Sequence, residues 1–239
     1  MAYDLSVLEQ GCGEMGISLG EVQKKQFLDF YEYMVEKNKV MNLTGITEFQ
    51  EVLVKHFLDS LACARVIDMT KVKRVMDIGT GAGFPGVPLK IAFPHLEEVL
   101  LDSLKKRVNF LEETFALLKL DGISAVHGRA EEFAKNKAYR ETFDLCVSRA
   151  VSNLATLTEY CLPYVKVGGT FISYKSGTVQ EETDQAQNAI KLLGGKLRGI
   201  HYFTLPDSDI QRSLVVIEKV KPTPGKYPRK AGTPLKEPL

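Results

Sequence analysis

From Asp4 to about Thr70, apolar residues recur at helical spacing, at Phe27, Phe30, Tyr31, Met34 and Val35 and again at Val52, Val54, Phe57, Leu58 and Leu61. No strand-like alternation interrupts them, so residues 1–70 are expected to form a helical N-terminal extension. Between its helices lies the turn-rich join Met41-Asn-Leu-Thr-Gly-Ile-Thr47, where Thr47 ahead of Glu48 is placed to cap the next helix. After Lys71 the period changes. Short apolar runs predict strands over 74–79, 97–102, 123–127, 143–148, 168–174, 198–204 and 213–219, with helices over 86–92, 104–119, 129–135, 152–164 and 178–193. Such alternation predicts an α/β core over 71–220, a Rossmann-like and mostly parallel seven-stranded sheet with helices on its faces. Only Pro206-Asp-Ser-Asp-Ile-Gln211 separates the last two strands, which forces a C-terminal antiparallel hairpin. Residues 221–239 are rich in proline and lysine, cannot continue the sheet, and are expected to be extended or mobile.

The stretch Arg74-Val-Met-Asp-Ile-Gly-Thr-Gly-Ala-Gly-Phe-Pro-Gly86 runs a buried strand into a glycine turn and the start of a helix. Glycines at 79, 81 and 83 allow positive φ and close approach of the backbone to a ligand. The loop alone is ambiguous, because Gly81-Ala-Gly-Phe-Pro-Gly86 also fits the dinucleotide pattern that seats a pyrophosphate on a helix start. Asp77 favours S-adenosylmethionine, since a carboxylate at the strand tip suits an ammonium and a sulfonium better than a pyrophosphate. Glu98-Val-Leu-Leu-Asp102 ends a second strand on another acid, at the interval that reaches ribose hydroxyls in both cofactor classes. With the closing hairpin, these features match a class I S-adenosylmethionine-dependent methyltransferase fold better than a dehydrogenase.

Composition narrows the setting. With 239 residues, 44% of them hydrophobic, the chain can bury a substantial core. Its formal net charge of +1 supplies no general attraction to nucleic acid, so any RNA must be held by local basic groups. Arg149, Lys175 and the tail lysines Lys221, Lys226 and Lys230 are the candidates, although a merely solvated tail is equally open. Cys12, Cys63, Cys146 and Cys161 show no C-x-x-C spacing and are expected as free thiols in a reducing cytosol. No signal segment or membrane-length apolar run is seen, and the expectation is a cytoplasmic monomer that uses no membrane and no metal.

Other constellations lie at predicted strand ends. After the third strand, Val126-His-Gly-Arg-Ala-Glu-Glu132 places Ala130 and Glu131 where a class I fold surrounds the adenine of its cofactor. After the fourth, Asp144-Leu-Cys-Val-Ser-Arg-Ala150 marks the substrate side. It lacks both the tetrapeptide of amine methylases and the Pro-Cys pair of cysteine-based ones, so Cys146 reads as core. Arg149, charged and just beyond a buried strand, is a poor core residue and is expected to contact cofactor or substrate. His56 and Ser60, four residues apart on the predicted helix, are expected to face a shared cleft, the alternative being a histidine satisfied in a packing surface.

The chain resembles the bacterial RsmG (GidB) family, which methylates N7 of a guanine in 16S ribosomal RNA of the small subunit. Asn42-Leu-Thr44, His56-Phe-Leu-Asp-Ser-Leu61, Asp77-Ile-Gly-Thr-Gly-Ala-Gly-Phe-Pro-Gly86, Gly128-Arg-Ala-Glu131, Ser148-Arg-Ala150 and Tyr174-Lys-Ser-Gly177 carry the likeness. It implies cofactor contacts at Gly79, Phe84, Asp102, Ser103, Leu104, Ala130, Glu131 and Arg149, beside Asp77 and Gly81 from the loop itself. It also implies His56, Arg149 and Lys175 near the base or the RNA backbone, and Asn42 is expected beside His56 in positioning substrate or cofactor. Lys175-Ser-Gly177 departs from the family, where glycine often follows the lysine directly. The implied partner is 16S rRNA or the small ribosomal subunit. The rivals are an NAD-dependent oxidoreductase and a non-catalytic nucleotide-binding regulator.

Overall fold

A computed structural model describes residues 3–239, beginning with α1 (Ser6–Glu14), α2 (Glu21–Met41), α3 (Phe49–Val52) and α4 (Asp59–Leu61). A π-helical turn over Leu53–Leu58 joins the last two, with the Asp59 N–H reaching back to the Val54 carbonyl. Helix α2 begins where the Gln23 side chain accepts the Gly20 N–H at 2.8 Å. It ends at Asn42 with φ of 52°, a left-handed cap that asparagine tolerates. Its buried face, Phe27, Phe30 and Met34, packs into an aromatic cluster. There the Phe30 ring lies 5.8 Å from Phe57 and 5.4 Å from Phe84, which joins the leader to the glycine loop.

The core follows as β1 (Arg74–Ile78), α5 (Gly86–Ala92), β2 (Glu97–Asp102), α6 (Lys105–Leu118), β3 (Ile123–His127), α7 (Ala130–Phe133), β4 (Phe143–Arg149), α8 (Leu154–Cys161) and β5 (Val165–Ser176). It closes with α9 (Gln180–Gln185), α10 (Gln187–Leu192), β6 (Gly195–Thr204), β7 (Gln211–Lys219) and α11 (Thr233–Lys236). The seven strands lie in the order β3-β2-β1-β4-β5-β7-β6. The first five pair in parallel, and β7 runs antiparallel to both β5 and β6. This is the sheet the alternation predicts. The helix expected over 152–164 stops at Cys161 and tightens into a 3-10 turn over Leu162–Tyr164, because Pro163 has no N–H to continue it. The chain then enters β5 at Val165, ahead of the expected start. The helix expected over 178–193 divides at Ala186.

Both faces of the sheet are covered. Val75 and Val147 face a core shared with Phe27, Phe57 and Leu111, whereas Met76 and Cys146 face one shared with Leu157, Tyr164 and Ile190. Cys146 is thus fully buried, and burial raises its thiol well above the usual range. Residues 221–239, expected to be extended or mobile, are held against the core. Arg229 makes a two-pronged contact with the fully buried Glu159 of α8, at 3.0 and 2.6 Å, and Arg140 donates to the carbonyls of Thr223 and Tyr227 at 2.9 Å each. Buried Lys219 completes the anchor through the Leu162 carbonyl at 2.6 Å and Glu141 at 3.0 Å. Among the described residues, no helix is long and apolar enough to cross a membrane.

The leader is also pinned to the sheet by a polar bond, since the buried Tyr174 hydroxyl of β5 donates to the Ser60 carbonyl at 2.7 Å. Tyr174→Phe strands that carbonyl and should cost about 1–3 kcal/mol. Urea unfolding should show a lower midpoint at unchanged slope, and an unmoved midpoint would mean the bond contributes nothing.

Candidate active site

Parallel sheets present their crevice where the strand order reverses, here between β1 and β4 at their C-terminal ends. The glycine loop occupies this point, with φ of 73° at Gly79, 62° at Gly81 and 94° at Gly83. Asp102, at the end of β2, accepts the Gly81 N–H on one oxygen and the Leu104 N–H on the other, each at 2.9 Å, and so fixes the loop against its neighbour. Asp77 is wholly buried; one oxygen accepts the Gly86 N–H at 3.0 Å and the other has no partner. Burial pushes its carboxyl up to about 7.

Beside the loop is a cavity of about 120 Å³ whose lining includes Gly79, Asp102, Ser103, Ala130 and Glu131, all expected on the cofactor side. The other candidates lie outside its lining. Gly81 forms the loop backbone, Asp77 sits beneath it, and Leu104 starts α6 with its side chain exposed. Phe84 turns into the core, where its ring stacks on His56 at 4.5 Å and 17°. Arg149 lines a second cleft of about 510 Å³ with Lys55, His56, Asp59, Lys175 and Arg212. Ala150 borders this cleft and Val151 the cavity beside the glycine loop, so one turn of chain stands between the two.

Within the larger cleft, Arg149 donates to Asp59 at 2.7 Å and lies over the Phe84 ring at 5.1 Å. Its other nitrogen faces His56 Nδ1 at 3.4 Å, while His56 Nε2 lies 2.8 Å from the Thr44 hydroxyl. Because a guanidinium can only donate, the geometry assigns Nδ1 as acceptor and Nε2–H as donor to Thr44. Burial first, and the Arg149 charge second, lower the imidazole pKa to about 3, so it is neutral at physiological pH. Lys175 donates to the Ser152 carbonyl and to Glu182, both at 2.7 Å.

Two sequence-level placements need correction. Asn42 is not beside His56: it is the exposed left-handed cap of α2, while Asn38 accepts the Leu43 N–H at 2.6 Å and the Thr44 N–H at 2.9 Å and so presents Thr44 to the ring. Ser60 does not share the cleft, because its hydroxyl turns back to the His56 carbonyl at 2.5 Å and it is buried. Asp59 takes that place, following the π-helical turn. Arg212, 3.3 Å from the second Asp59 oxygen, was also missed, since an isolated arginine in a strand carries no motif.

The residues fit a cationic nucleoside cofactor. A buried carboxylate oxygen without a donor lies under the glycine loop, and the Gly81 Cα faces open space. Architecture and site together define a class I methyltransferase fold. Solved structures with this fold include a putative O-methyltransferase from Klebsiella pneumoniae, with TM-score 0.55 and 13% identity over 80% of this chain and 90% of that one. Another is TrmN from Thermus thermophilus, with TM-score 0.52 and 17% identity over 68% of this chain and 48% of that one. At such identities the likeness is one of fold. The chain belongs to the GidB family, rRNA small subunit methyltransferase G, whose model matches residues 23–215. It is 53% identical to the ribosomal RNA small subunit methyltransferase G of an Exiguobacterium species, over 94% of each chain. To the protein of the same name from Lachnoclostridium phytofermentans it is 52% identical, over 99% of this chain and 98% of the relative.

The His56 environment carries a pH signature. In the unfolded chain this histidine binds a proton below about 6.5, while in the folded protein it does so only near 3. Its contribution to stability is therefore complete above about 6.5 and is lost as the pH falls towards 3, by roughly 2 kcal/mol at pH 5. Replacing it in His56→Asn removes that loss. The stability difference between wild type and variant, measured by denaturant unfolding, should shift by this amount between pH 7.5 and 5. A constant difference would show that the native imidazole titrates normally.

Proposed function

We propose that the chain transfers the methyl group of S-adenosylmethionine to N7 of a guanine in 16S rRNA of the small ribosomal subunit. Family membership supports the reaction class, and one structural observation carries the site: a cleft bearing Arg149 and Arg212 adjoins the glycine-loop cavity across one turn of chain. Gly79, Asp102, Ser103, Ala130 and Glu131 would line the cofactor, with Asp77 and Gly81 completing the loop and Phe84, Leu104 and Arg149 acting as supports. The cofactor, when bound, supplies a methyl group activated on a sulfonium. Residues 1–70 serve as the substrate-side extension, 71–220 as the catalytic core and 221–239 as a basic tail. The setting is the cytoplasm and the working form a monomer.

Guanine N7 has an in-plane lone pair and no proton to lose, so the chain needs no general base. A neutral His56 agrees with this, because its Nδ1 is directed at Arg149 and its Nε2 at Thr44. The ring positions Arg149 and leaves protons where they are. Rate comes from alignment, which in well-oriented systems contributes roughly 7–11 kcal/mol. Arg149 and Arg212 offer donors to the base edge or its phosphate.

If the cavity takes this cofactor, S-adenosylhomocysteine should raise the melting temperature and NAD should not. At a hundred times its dissociation constant the ligand adds about 2.7 kcal/mol. Gly81→Val should abolish the shift, because a branched residue resists φ of 62°. The reverse ranking of ligands would return the dehydrogenase reading.

For the substrate, mapping N7-methylated guanines in 16S rRNA from a strain lacking the gene should reveal one missing modification. Single-turnover rates from pH 6 to 9 at saturating RNA should be nearly flat, with His56→Asn retaining much of the rate. A log-linear rise with pH that vanishes in His56→Asn would establish base catalysis and point to a target that must lose a proton.

A further inference from the structure

The tail does more than cover α8. Beyond the Arg229–Glu159 clamp it continues to Gly232, whose N–H donates to Glu131 at 2.7 Å, and to Pro234, whose carbonyl accepts the Thr156 hydroxyl at 2.9 Å. Glu131 is 2% exposed and lines the cofactor cavity. Arg129 reaches the same oxygen at 3.4 Å from a side chain that is 47% exposed, so the Gly232 amide is the shorter and better fixed of the two contacts. Meanwhile Lys221, Lys226 and Lys230 are all exposed, and the anchoring contacts of this segment run through Arg229 and backbone groups.

We infer that residues 229–234 are part of the cofactor site, with the Gly232 amide positioning the Glu131 carboxylate for the cofactor's adenosine. The inference rests on the cofactor reading above and adds a residue set far from the glycine loop in sequence. A glutamate has several rotamers, and one that must meet a ligand loses affinity when it has to be ordered at the moment of binding. The amide makes that choice in advance. Arg229 acts one step further out by holding the segment on Glu159.

The test is calorimetric titration of S-adenosylhomocysteine into full-length wild type, Gly232→Pro, Glu131→Ala and the double variant, with binding of a 16S rRNA transcript measured in parallel. Gly232→Pro removes the donor and cannot adopt φ of 85°. It should weaken S-adenosylhomocysteine about tenfold, the usual scale for a bond to a charged group, and leave RNA affinity within twofold. Gly232→Ala keeps the N–H and its new Cβ meets nothing within 4 Å, and although φ of 85° strains it, its affinity should lie between those of wild type and Gly232→Pro. Because the amide acts through Glu131, the double variant should bind no more weakly than Glu131→Ala alone. Losses that multiply in the double variant, an unchanged Gly232→Pro, or a defect confined to RNA with a reduced salt slope would each overturn the inference. The last result would make the tail a phosphate-contacting arm. Absence of binding by the wild type overturns the cofactor reading and this one together, whereas wild-type binding with an unaffected variant overturns only the role of the tail.

Discussion

The buried ion pair between Arg149 and Asp59 is the constraint on which the site depends. Asp59 reaches it from the helical leader and Arg149 from the end of β4, at 2.7 Å, with side chains only 4% and 14% exposed. Removing either partner from such a pair costs about 3–5 kcal/mol, because a buried charge is left uncompensated, although the intact pair adds little net stability. Its value here is registry. Arg149 is held over Phe84, His56 stacks on the same ring, and Arg212 approaches the second carboxylate oxygen of Asp59. Leader, glycine loop, β4 and β7 therefore meet at one carboxylate.

That arrangement also sets the electrostatics of the two cavities. Burial first, and the Arg149 guanidinium second, keep His56 neutral, so the imidazole adds no positive charge to the cleft that bears Arg149 and Arg212. On the cofactor side, burial raises Asp77 to about 7. A carboxyl with a raised folded pKa holds its proton more tightly folded than unfolded, so its contribution is present below about 3.8 and lost as the pH rises towards 7. A cationic ligand favours the ionised form and offsets that loss. The glycine loop is thus least comfortable without the charge it is shaped to receive.

Much of this was legible in the chain, for reasons that differ by element. The strands could be read because sheet residues are buried on both faces, as Val75 and Met76 show, and the antiparallel end followed from a connection too short for a crossover. The cofactor loop could be read because positive φ requires glycine and because acids end β1 and β2. What failed depended on direction. Helical spacing puts both Asp59 and Ser60, three and four residues on, near the face of His56, and what decides between them is that the Ser60 hydroxyl is drawn back to the His56 carbonyl while Asp59 reaches the cleft. Asn42 and Thr44 share one short motif, and only the left-handed backbone at Asn42 decides which faces the imidazole. The tail misled for a related reason: proline and lysine describe what cannot join a sheet, whereas its anchors are Arg229 and main-chain groups that composition does not reveal.

Lys175 shows how the two cavities are joined. Its sequence context, with Ser176 before Gly177, left its role open, and the structure turns its ammonium away from open solvent to the Ser152 carbonyl and Glu182. Glu182 in turn accepts the Leu154 N–H at 2.6 Å. Both bonds hold the segment after β4, in which Ala150 has φ of 57° and Val151 leans on Gly79 closely enough to exclude any side chain there. Val151 is 40% exposed, so apolar burial alone does not fix this turn, and polar contacts from β5 and α9 do. Ala150 faces the arginine cleft and Val151 the cofactor cavity, which makes one short, externally braced segment the wall of both. In the proposed reaction, alignment of base and cofactor then depends on a brace that touches neither, which is where a mechanism built on geometry instead of proton transfer places its requirement.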